Sequence, residues 1–374
     1  MSSRYSSKLL LLFIAVFSAC TEPISPEFEL KEDLVFVEGF ASSAIGASFV
    51  KVSETVLNGN SFSNAHIEGA EVSFINSKTG DVVRLIEDEN TYISPSNFAV
   101  SIGDSWELDI KLLDGRHYKS LREEVIEPVT ISDIGATYKP ELLFREASED
   151  FVPGHSISVS FDDPPNRENY YFWRFRSFES LSICKVCFNS VFRNGVCMEN
   201  PPGSNRKPYY TYNCDSECWR IRFNENIKIF TDEFTDGIKI NQLPVADVLL
   251  YSKKEILVEV QQFSLSVSAY EYYKILKDLV DNNGSFNAPP PAALIGNMFN
   301  LNDSEEFVLG RFTAASTSTT SIFINRSSII EREVGEILLP QLEGAPISPL
   351  EVRSTAPCIE SRSRTTIRPE GWID

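Results

Sequence analysis

The sequence predicts a mainly β protein. An N-terminal immunoglobulin- or transthyretin-like β-sandwich is followed by a second β-rich domain with a disulfide-stapled insertion and one packing helix. Three observations predict this fold. Short alternating apolar runs separated by turn residues recur along the chain, as in half-buried strands. Six cysteines follow the N-terminal segment. Helical periodicity is clear in one stretch, residues 268–283.

The first 19 residues have the pattern of a secretory signal peptide. Arg4 and Lys8 precede the uncharged run LLLLFIAVF, and Ser-Ala leads to Cys20. This run is shorter than the roughly twenty residues that span a membrane, and it matches the apolar core of an export signal. Ser-Ala-Cys is also the pattern of a lipobox, in which the cysteine is acylated (as with palmitate) and becomes the new N-terminus. We therefore predict lipidation of Cys20; the alternative is an ordinary signal peptide with Cys20 as a bystander.

The remaining chain is predicted to have an anchor segment and two domains. Residues 20–33 are rich in Pro and Glu and predict an extended, lipidated acidic tether. Residues 34–128 are assigned to the β-sandwich and 129–374 to the second domain. No apolar run after residue 20 is long enough to cross a bilayer.

The charge of the chain excludes one class of function. The formal net charge is −19, and loss of the signal-peptide residues Arg4 and Lys8 makes it −21. Such a surface repels phosphate backbones and anionic lipid head groups, so we expect no nucleic-acid binding.

The N-terminal domain is predicted from closely spaced strands without helical segments between them, which is typical of a β-sandwich. Turns are expected at Lys78-Thr79-Gly80 and at Asp114-Gly115. The candidate strands are LVFVEGF, ASFVKVSE, AEVSFIN, VVRLIED, FAVSI and WELDIKLLDG.

The second domain begins with a predicted hairpin, in which HSISVSFDD and NYYFWRFRSF are joined by Pro164-Pro165-Asn166-Arg167. A helix over 268–283 is predicted from the capping-box pair Ser268 and Glu271 and from the stop at Asn283-Gly284. An irregular C-terminal tail from Leu339, with Pro340, Pro346, Pro349 and Pro357, is expected to wrap over the body and to be held by Cys358. The further candidate strands are CWRIRF, NIKIF, ILVEVQQFSLS, EFVLGRFTAAS and TSIFINRS.

The cysteines concentrate in residues 180–218, which we interpret as a stapled insertion. An even number of cysteines in an exported protein favours disulfides. A tetrahedral zinc bound by the C-x2-C and C-x3-C pairs is the alternative. Six cysteines allow fifteen pairings, and the sequence does not choose among them. The disulfide candidates are Cys184, Cys187, Cys197, Cys214, Cys218 and Cys358.

Motifs for catalysis are lacking. The three histidines, at positions 66, 117 and 155, form no metal-binding pattern, and surface or turn positions are expected for them. No nucleophile elbow, P-loop or dinucleotide fingerprint occurs. The acidic clusters at 146–150 and 303–306 leave glycoside hydrolysis open, and 300–306 leaves a calcium loop open, but solvated acidic surface is favoured for both. We predict no catalytic residue, no metal and no cofactor, and hence no enzyme.

One group of aromatic residues is a candidate binding surface. Tyr209, Tyr210 and Tyr212 lie within the insertion, directly after a Pro-Gly segment. Exposed aromatic side chains on a loop are typical of carbohydrate- and protein-binding surfaces. Packing against the disulfides is the alternative.

Several motifs of the sequence are specific only in combination. They are the lipobox with its acidic spacer, LVFVEGF, GAEVSF from Gly69, DGRHY from Asp114, NYYFW from Asn169, the C-x3-C-W segment from Cys214, AYEYY from Ala269, IGNMFN from Ile295, VLGRF from Val308 and the cysteine-containing tail. Together they resemble a family of Bacteroidota outer-membrane lipoproteins, the domain-of-unknown-function family 4249. The resemblance runs through nearly all of the predicted mature chain, although each motif alone is weak.

The resemblance implies a lipid-anchored outer-membrane protein that is encoded beside a TonB-dependent transporter. It supplies no catalytic residues. Glu22, shortly after Cys20, matches the acidic signal that directs such lipoproteins to the cell surface, but Pro23 follows it rather than a further acid, so the periplasmic face stays open. We hypothesise an accessory lipoprotein that captures a peptide or glycan nutrient for a β-barrel transporter. The alternatives are a structural, adhesion or outer-membrane assembly component without a small ligand, and a hydrolase.

Overall fold

The structure, a computed structural model, describes most of the chain between residues 33 and 373. The signal peptide predicted at 1–19, Cys20 and the tether up to residue 32 lie outside the described residues, so these assignments stay predictions. No helix in the described ranges combines the length and the apolar character that a membrane crossing needs. The described residues are 33–58, 61–145, 149–181, 186–188, 190–193, 196–199, 210–212, 217–223, 226–281, 294, 296–334 and 360–373.

Short strands connected by turns make up the N-terminal part of the described chain, as the alternating pattern predicts. The turns include Gly80 and Gly115, both with positive φ, at the two places where the sequence predicts them. The strands are β1 (Val35–Ser42), β2 (Phe49–Asn58), β3 (Ser61–His66), β4 (Glu71–Asn76), β5 (Val82–Arg84), β6 (Ile86–Asp88), β7 (Thr91–Ile93), β8 (Ser105–Lys111), β9 (His117–Ser120) and β10 (Glu123–Glu124).

The rest of the described chain contains longer strands and one helix, α1 (Val267–Asp281). The two late strands predicted near residues 306 and 320 are one strand of 16 residues, β23. The strands are β11 (Ile131–Arg145), β12 (Asp150–Asp162), β13 (Tyr170–Ser180), β14 (Val186–Phe188), β15 (Ser190–Arg193), β16 (Val196–Glu199), β17 (Tyr210–Tyr212), β18 (Trp219–Phe223), β19 (Lys228–Thr231), β20 (Lys239–Leu249), β21 (Ile256–Ser264), β22 (Met298–Asn300), β23 (Leu309–Ile324) and β24 (Arg364–Thr365).

These strands form one large sheet and several smaller ones, which confirms the mainly β fold. The large sheet has eleven strands in the order β24-β18-β13-β21-β23-β1-β2-β7-β6, with β19 on β13 and β3 on β2. A six-stranded sheet has the order β22-β9-β8-β4-β5, with β10 on β8. A three-stranded sheet has the order β11-β12-β20, and the insertion contributes two isolated pairs, β14-β17 and β15-β16.

Hydrogen-bonded pairing crosses the boundary predicted at residue 128. Strand β1 runs parallel to β23, from the pair Phe36–Leu309 to the pair Ser42–Ala315. Strand β22 pairs with β9, with Met298 opposite Ser120. Residues 298–300 and 309–315 therefore complete the sandwich that strands β1 to β10 begin.

The core of this sandwich lies between the six-stranded sheet and the β1-β2 part of the large sheet. Phe312 of β23 belongs to it, with its ring 5.5 Å from that of Phe74. The segment FAVSI, predicted as a strand, is a loop: Phe98 and Val100 are buried in this core, but the segment is not a strand. Its alternating pattern reflects burial rather than sheet pairing.

A second core lies between the three-stranded sheet and one face of β13 and β21. The Phe161 ring of β12 lies 4.9 Å from the Tyr171 ring of β13. The predicted hairpin of β12 and β13 is wrong, because β12 pairs with β11 and β20 whereas β13 pairs with β18, β19 and β21. The Pro-Pro connection carries the chain from one sheet to the sheet that faces it.

The helix α1 packs on the opposite face of β13. Tyr273 stacks on Phe172 with ring centroids 4.7 Å apart. The predicted helix is confirmed, but its cap is not Ser268: Ser266 Oγ accepts the backbone N–H of Ala269 at 3.3 Å. The buried face of the helix ends before Val280, which is exposed.

Two glycines allow the backbones of three segments to meet beside this helix. A Cβ on Gly296 would lie 1.6 Å from the carbonyl oxygen of Gly310, and a Cβ on Gly310 would lie 1.8 Å from that of Val37. Gly310 also has a φ of +102°. Neither position can accept a side chain without moving main chain, which explains the glycines in the IGNMFN and VLGRF motifs.

We predict that Gly310→Ala destabilises the fold by at least about 2 kcal/mol, from steric overlap and backbone strain together. The matched control is Gly80→Ala, because Gly80 has a φ of +79° but nothing within 4 Å of its Cβ position. That variant should lose only about 1 kcal/mol, the cost of the left-handed conformation. Denaturant unfolding measures both, and equal losses would show that the close approach to Val37 costs nothing.

His155 is buried, although the sequence favoured a surface or turn position. It is 4% exposed and faces Tyr138, its cross-strand partner on β11. Burial, together with charge repulsion from Arg326, lowers its pKa to about 4. Arg326 is fully buried and donates from Nη1 to Glu179 Oε1 at 3.3 Å. His155 is therefore neutral in the folded protein at neutral pH.

We predict that His155→Gln removes part of the acid sensitivity of the fold. The pKa of His155 is about 4 when folded and 6.5 ordinarily, so the unfolded chain binds the proton first. The wild type should lose up to about 3 kcal/mol of stability from this group as the pH falls from 6.5 to 4. Unfolding free energies of both proteins across this range test it, because other titrating groups cancel in the comparison. Parallel curves would exclude the role of His155.

Candidate ligand-binding cavity

A cavity of 1310 Å³ lies on the face of the large sheet that is not covered by the three-stranded sheet. Its floor is formed by residues of β1, β2, β13 and β21, and α1 forms one side with Tyr272 and Tyr273. Residues 360–370 of the C-terminal tail form another side, together with Phe223 of β18. Four separate parts of the chain therefore build one concave surface.

The two-residue period of β13 divides its side chains between the core and the cavity. Phe172, Arg174, Arg176 and Phe178 line the cavity, whereas Tyr171, Trp173 and Phe175 pack in the second core. Successive side chains of a strand point to opposite faces of the sheet, so both faces of β13 are covered. Tyr171, Phe172 and Trp173 are accordingly all buried.

Strand register pairs the charges on the cavity floor. Glu259 is the cross-strand partner of Arg176, and its two oxygens accept from Arg176 Nε and Nη2 at 2.8 and 2.9 Å. Lys51 is the cross-strand partner of Glu38, with Nζ 3.2 Å from Oε2. Arg174 also donates to Glu38. A single carboxylate therefore serves two cations.

The electrostatic environment of Glu38 is strongly positive. Burial alone raises the pKa of this carboxyl, but Arg174 and Lys51 outweigh burial and lower the pKa to about 2. Glu38 is therefore ionised at every physiological pH, and the pair of cations beside it carries one positive charge in excess.

Aromatic rings hold the arginines in place. The Arg174 guanidinium carbon lies 4.2 Å from the centre of the Phe40 ring and 4.7 Å from that of Phe49. On the far side, Arg362 lies 4.3 Å from Phe49 and 4.4 Å from Phe223. Guanidinium groups over aromatic faces are attracted by the ring quadrupole, by about 0.5–2 kcal/mol each.

The tail is docked by its own contacts. Trp372 packs edge-on against Trp219 and Phe323, with ring centroids 6.1 and 5.4 Å away. β24 adds to the edge of the large sheet beside β18. The backbone N–H of Arg362 donates to Asp88 Oδ2 at 2.7 Å. These contacts bring Arg362 to the cavity although it lies far from the other lining residues in sequence.

The carboxyl groups whose pKa is raised by burial lie away from the cavity. Burial raises the pKa of two described carboxyl groups, Glu123 and Asp163, and neither lines the cavity. The floor carboxylates Glu38 and Glu259 are held in ion pairs with arginine.

Most of the predicted cysteine pairing lies outside the described side chains. Cys218 is buried and disulfide-bonded, so it is not a thiolate ligand for zinc. Nothing is described for the side chains of the other candidates, Cys184, Cys187, Cys197, Cys214 and Cys358, so their pairing stays a prediction. Tyr209 and the side chains of Tyr210 and Tyr212 also lie outside the described residues, and their binding role stays a prediction.

The acidic segments weighed for catalysis or calcium have structural partners. Glu306 accepts from Tyr118 Oη at 2.7 Å, and Asn300 Oδ1 accepts the N–H of Asn302 at 2.7 Å. Glu149 and Asp150 are exposed. Carboxylates converge elsewhere, at Asp163, Asp232 and Asp236. Within that group each residue accepts hydrogen bonds from neighbouring main chain or from Tyr171 or Asn169, which accounts for the cluster structurally.

The cavity residues were not predicted as a site, although part of the signal is visible in the sequence. In β13 the segment FWRFRSF places two arginines on one face between two phenylalanines, which is unusual for a buried strand. Glu38 and Glu259 interrupt otherwise apolar strands in the same way. The contribution of Arg362 had no local signal, because it depends on how the tail docks.

A known protein family matches most of this chain. The family model described as Domain of unknown function (DUF4249) matches residues 21–321. A search of the curated proteins finds no match. The matched region includes the strands and the helix that line the cavity, and it excludes the tail at 360–370. Since the match covers well over half of the 374 residues, the chain belongs to the DUF4249 family.

Proposed function

We propose that this protein is an exported, lipid-anchored binding protein that captures a peptide or glycan nutrient in its cavity. It would deliver the nutrient to a TonB-dependent β-barrel transporter in the outer membrane. The observation that carries this proposal is the cavity itself: a large concave surface lined by aliphatic and aromatic side chains together with six acidic and six basic ones. Concave surfaces are the usual small-ligand sites of proteins.

The size of the cavity favours an oligomeric ligand. Its 1310 Å³ exceeds the roughly 300–1,000 Å³ that encloses a single drug-sized molecule. Aromatic walls suit both sugar rings and apolar peptide side chains. A structural spacer does not require a cavity. The ion pairs on the cavity floor have a desolvation cost, and a spacer role does not explain why they are there.

The proposed anchor and partner come from the N-terminal sequence and from the family resemblance. The run before Cys20 has the pattern of an export signal with a lipobox. A lipid on Cys20 would hold the folded body at the outer membrane, on its periplasmic or its cell-surface face. The absence of a catalytic motif in the sequence supports a binding role rather than hydrolysis.

We predict that Ser96→Trp impairs ligand binding. Ser96 is exposed at the cavity wall, so an indole there should obstruct the cavity without disturbing the core. The matched control is Asn97→Trp, since Asn97 is also exposed but does not line the cavity. Calorimetry with oligopeptides and oligosaccharides should show a loss of affinity of at least about tenfold for Ser96→Trp only. Equal affinity in both variants would place binding elsewhere.

We also predict that the native protein co-purifies with a β-barrel. The full chain, extracted from its own membranes in mild detergent, should migrate as a complex that contains an outer-membrane transporter. Cys20→Ser should abolish both lipidation, seen by mass spectrometry, and recovery in the membrane fraction. Recovery of the lipidated protein alone, without binding any oligopeptide or oligosaccharide, would favour the structural alternative.

A further inference from the structure

The cations around the cavity differ in how their charge is balanced. Arg176 has a two-point ion pair with Glu259, and the buried Arg311 is paired with Glu123. Lys51 and Arg174 share Glu38. Each of these cations therefore forms an ion pair with a carboxylate of the protein.

Arg362 is different. Its guanidinium lies between the rings of Phe49 and Phe223, and no carboxylate among the described residues forms an ion pair or a hydrogen bond with it. The contact with Asp88 is made by the backbone N–H of Arg362, not by its side chain. The five N–H donors of a guanidinium therefore have no protein acceptor in the described part of the chain.

The surroundings make this arrangement costly. Burial and the positive charge of Arg174 lower the pKa of Arg362 to about 10, although the charges of Glu38, Asp88 and Glu89 oppose this, so the group stays charged at neutral pH. A charged group in a partly desolvated site is stabilised strongly when an ion of opposite sign forms hydrogen bonds with it. The planar fork of arginine matches the two oxygens of a carboxylate.

Accessible apolar side chains line the same cavity as this guanidinium. Ile86, Phe223 and Ile367 all line the cavity, with exposed fractions of 66%, 40% and 71%. Such exposure of large apolar groups inside a concave surface favours an apolar partner. Asp88 and Glu360 also line this side of the cavity, and they disfavour a doubly charged anion such as phosphate.

We infer that Arg362 binds the C-terminal carboxylate of a short peptide, whose last side chains pack against the isoleucines and Phe223. The inference rests on the proposed function and narrows its ligand from peptide or glycan to a peptide with a free, apolar C-terminus. The volume of the cavity, larger than one residue requires, favours a peptide over a free aliphatic or aromatic acid.

The test uses the full chain in mild detergent and two synthetic tetrapeptides, Ala-Ala-Leu-Phe with a free carboxylate and the same peptide as its C-terminal amide. Calorimetry should show that the wild type binds the free acid at least about tenfold more tightly, a difference of about 1.4 kcal/mol. Arg362→Gln should bind both peptides within twofold of each other. Its affinity for the amide should equal that of the wild type, which shows that the tail remains docked.

Two controls make the result specific. Arg332→Gln removes an exposed arginine that does not line the cavity, and it should keep the full preference for the free acid. Arg362→Lys keeps the charge but lacks the planar, two-pronged geometry, so it should keep only part of the preference for the free acid. A third ligand, 3-phenylpropionate, supplies the same carboxylate without a peptide and should bind at least tenfold more weakly than the tetrapeptide acid.

Several outcomes overturn the inference. Equal binding of acid and amide by the wild type, or a preference that survives Arg362→Gln, removes Arg362 as the carboxylate site. Binding of 3-phenylpropionate as tightly as the tetrapeptide assigns the site to free acids. Binding of neutral oligosaccharides but of neither peptide leaves the proposed function intact and refutes the peptide assignment, whereas binding of nothing refutes both.

Discussion

The parallel pairing of β1 with β23 is the constraint on which the rest of the structure depends. It joins residues 36–42 to residues 309–315, so two segments that lie far apart in the sequence become neighbouring strands of one sheet. Closing a loop of this length has a large entropic cost, although the cost grows only slowly with further residues. Beside this pair, the main chains of Gly296, Gly310 and Val37 approach one another closely. Phe312 enters the N-terminal core from the same strand.

Because the sheet is continuous, its two faces can have different roles. Over β13 and β21, one face is covered by the three-stranded sheet and contributes apolar side chains to the second core. The opposite face lacks such a cover and is occupied by α1, the tail and the cavity between them. Alternation along β13 thus places Trp173 in a core and Arg174, its neighbour, at the floor of the cavity. The same strand provides stability on one side and charged groups on the other.

The alternating pattern predicts most strands correctly, because the period of a half-buried strand is a local property of the sequence. Partner choice is not local, which is why the β12–β13 hairpin is wrong: each strand finds its partners far along the chain. The helix cap illustrates the same limit on a small scale. Ser266 and Ser268 are equally suited to capping by type, and Ser266 is selected because its hydroxyl also donates to the buried Glu123 at 3.1 Å. The burial of His155 is likewise a property of the neighbouring strands, not of its own segment.

The candidate site shows which part of a binding surface can be predicted from sequence. The arginines that alternate with aromatic residues in β13 are an unusual pattern that can be recognised in the sequence. A cation on a buried strand is costly unless a counter-ion or a ligand pairs with it. No local sequence pattern indicates the side of the cavity that contains Arg362. The position of Arg362 depends on the docking of the tail, in which Trp372 contacts Trp219 and β24 pairs with β18.

The net charge of −19 does not describe the charges at the cavity, which is lined by six acidic and six basic residues. Exposed charges beyond about 8 Å are largely screened at physiological salt, whereas Arg174, Arg362 and Glu38 act within contact distance of the cavity. Glu38 itself is shared by Arg174 and Lys51, so the floor already carries more positive charge than its own carboxylate balances. An anion that enters therefore meets a site in which the nearest groups, not the distant acidic surface, determine its binding energy.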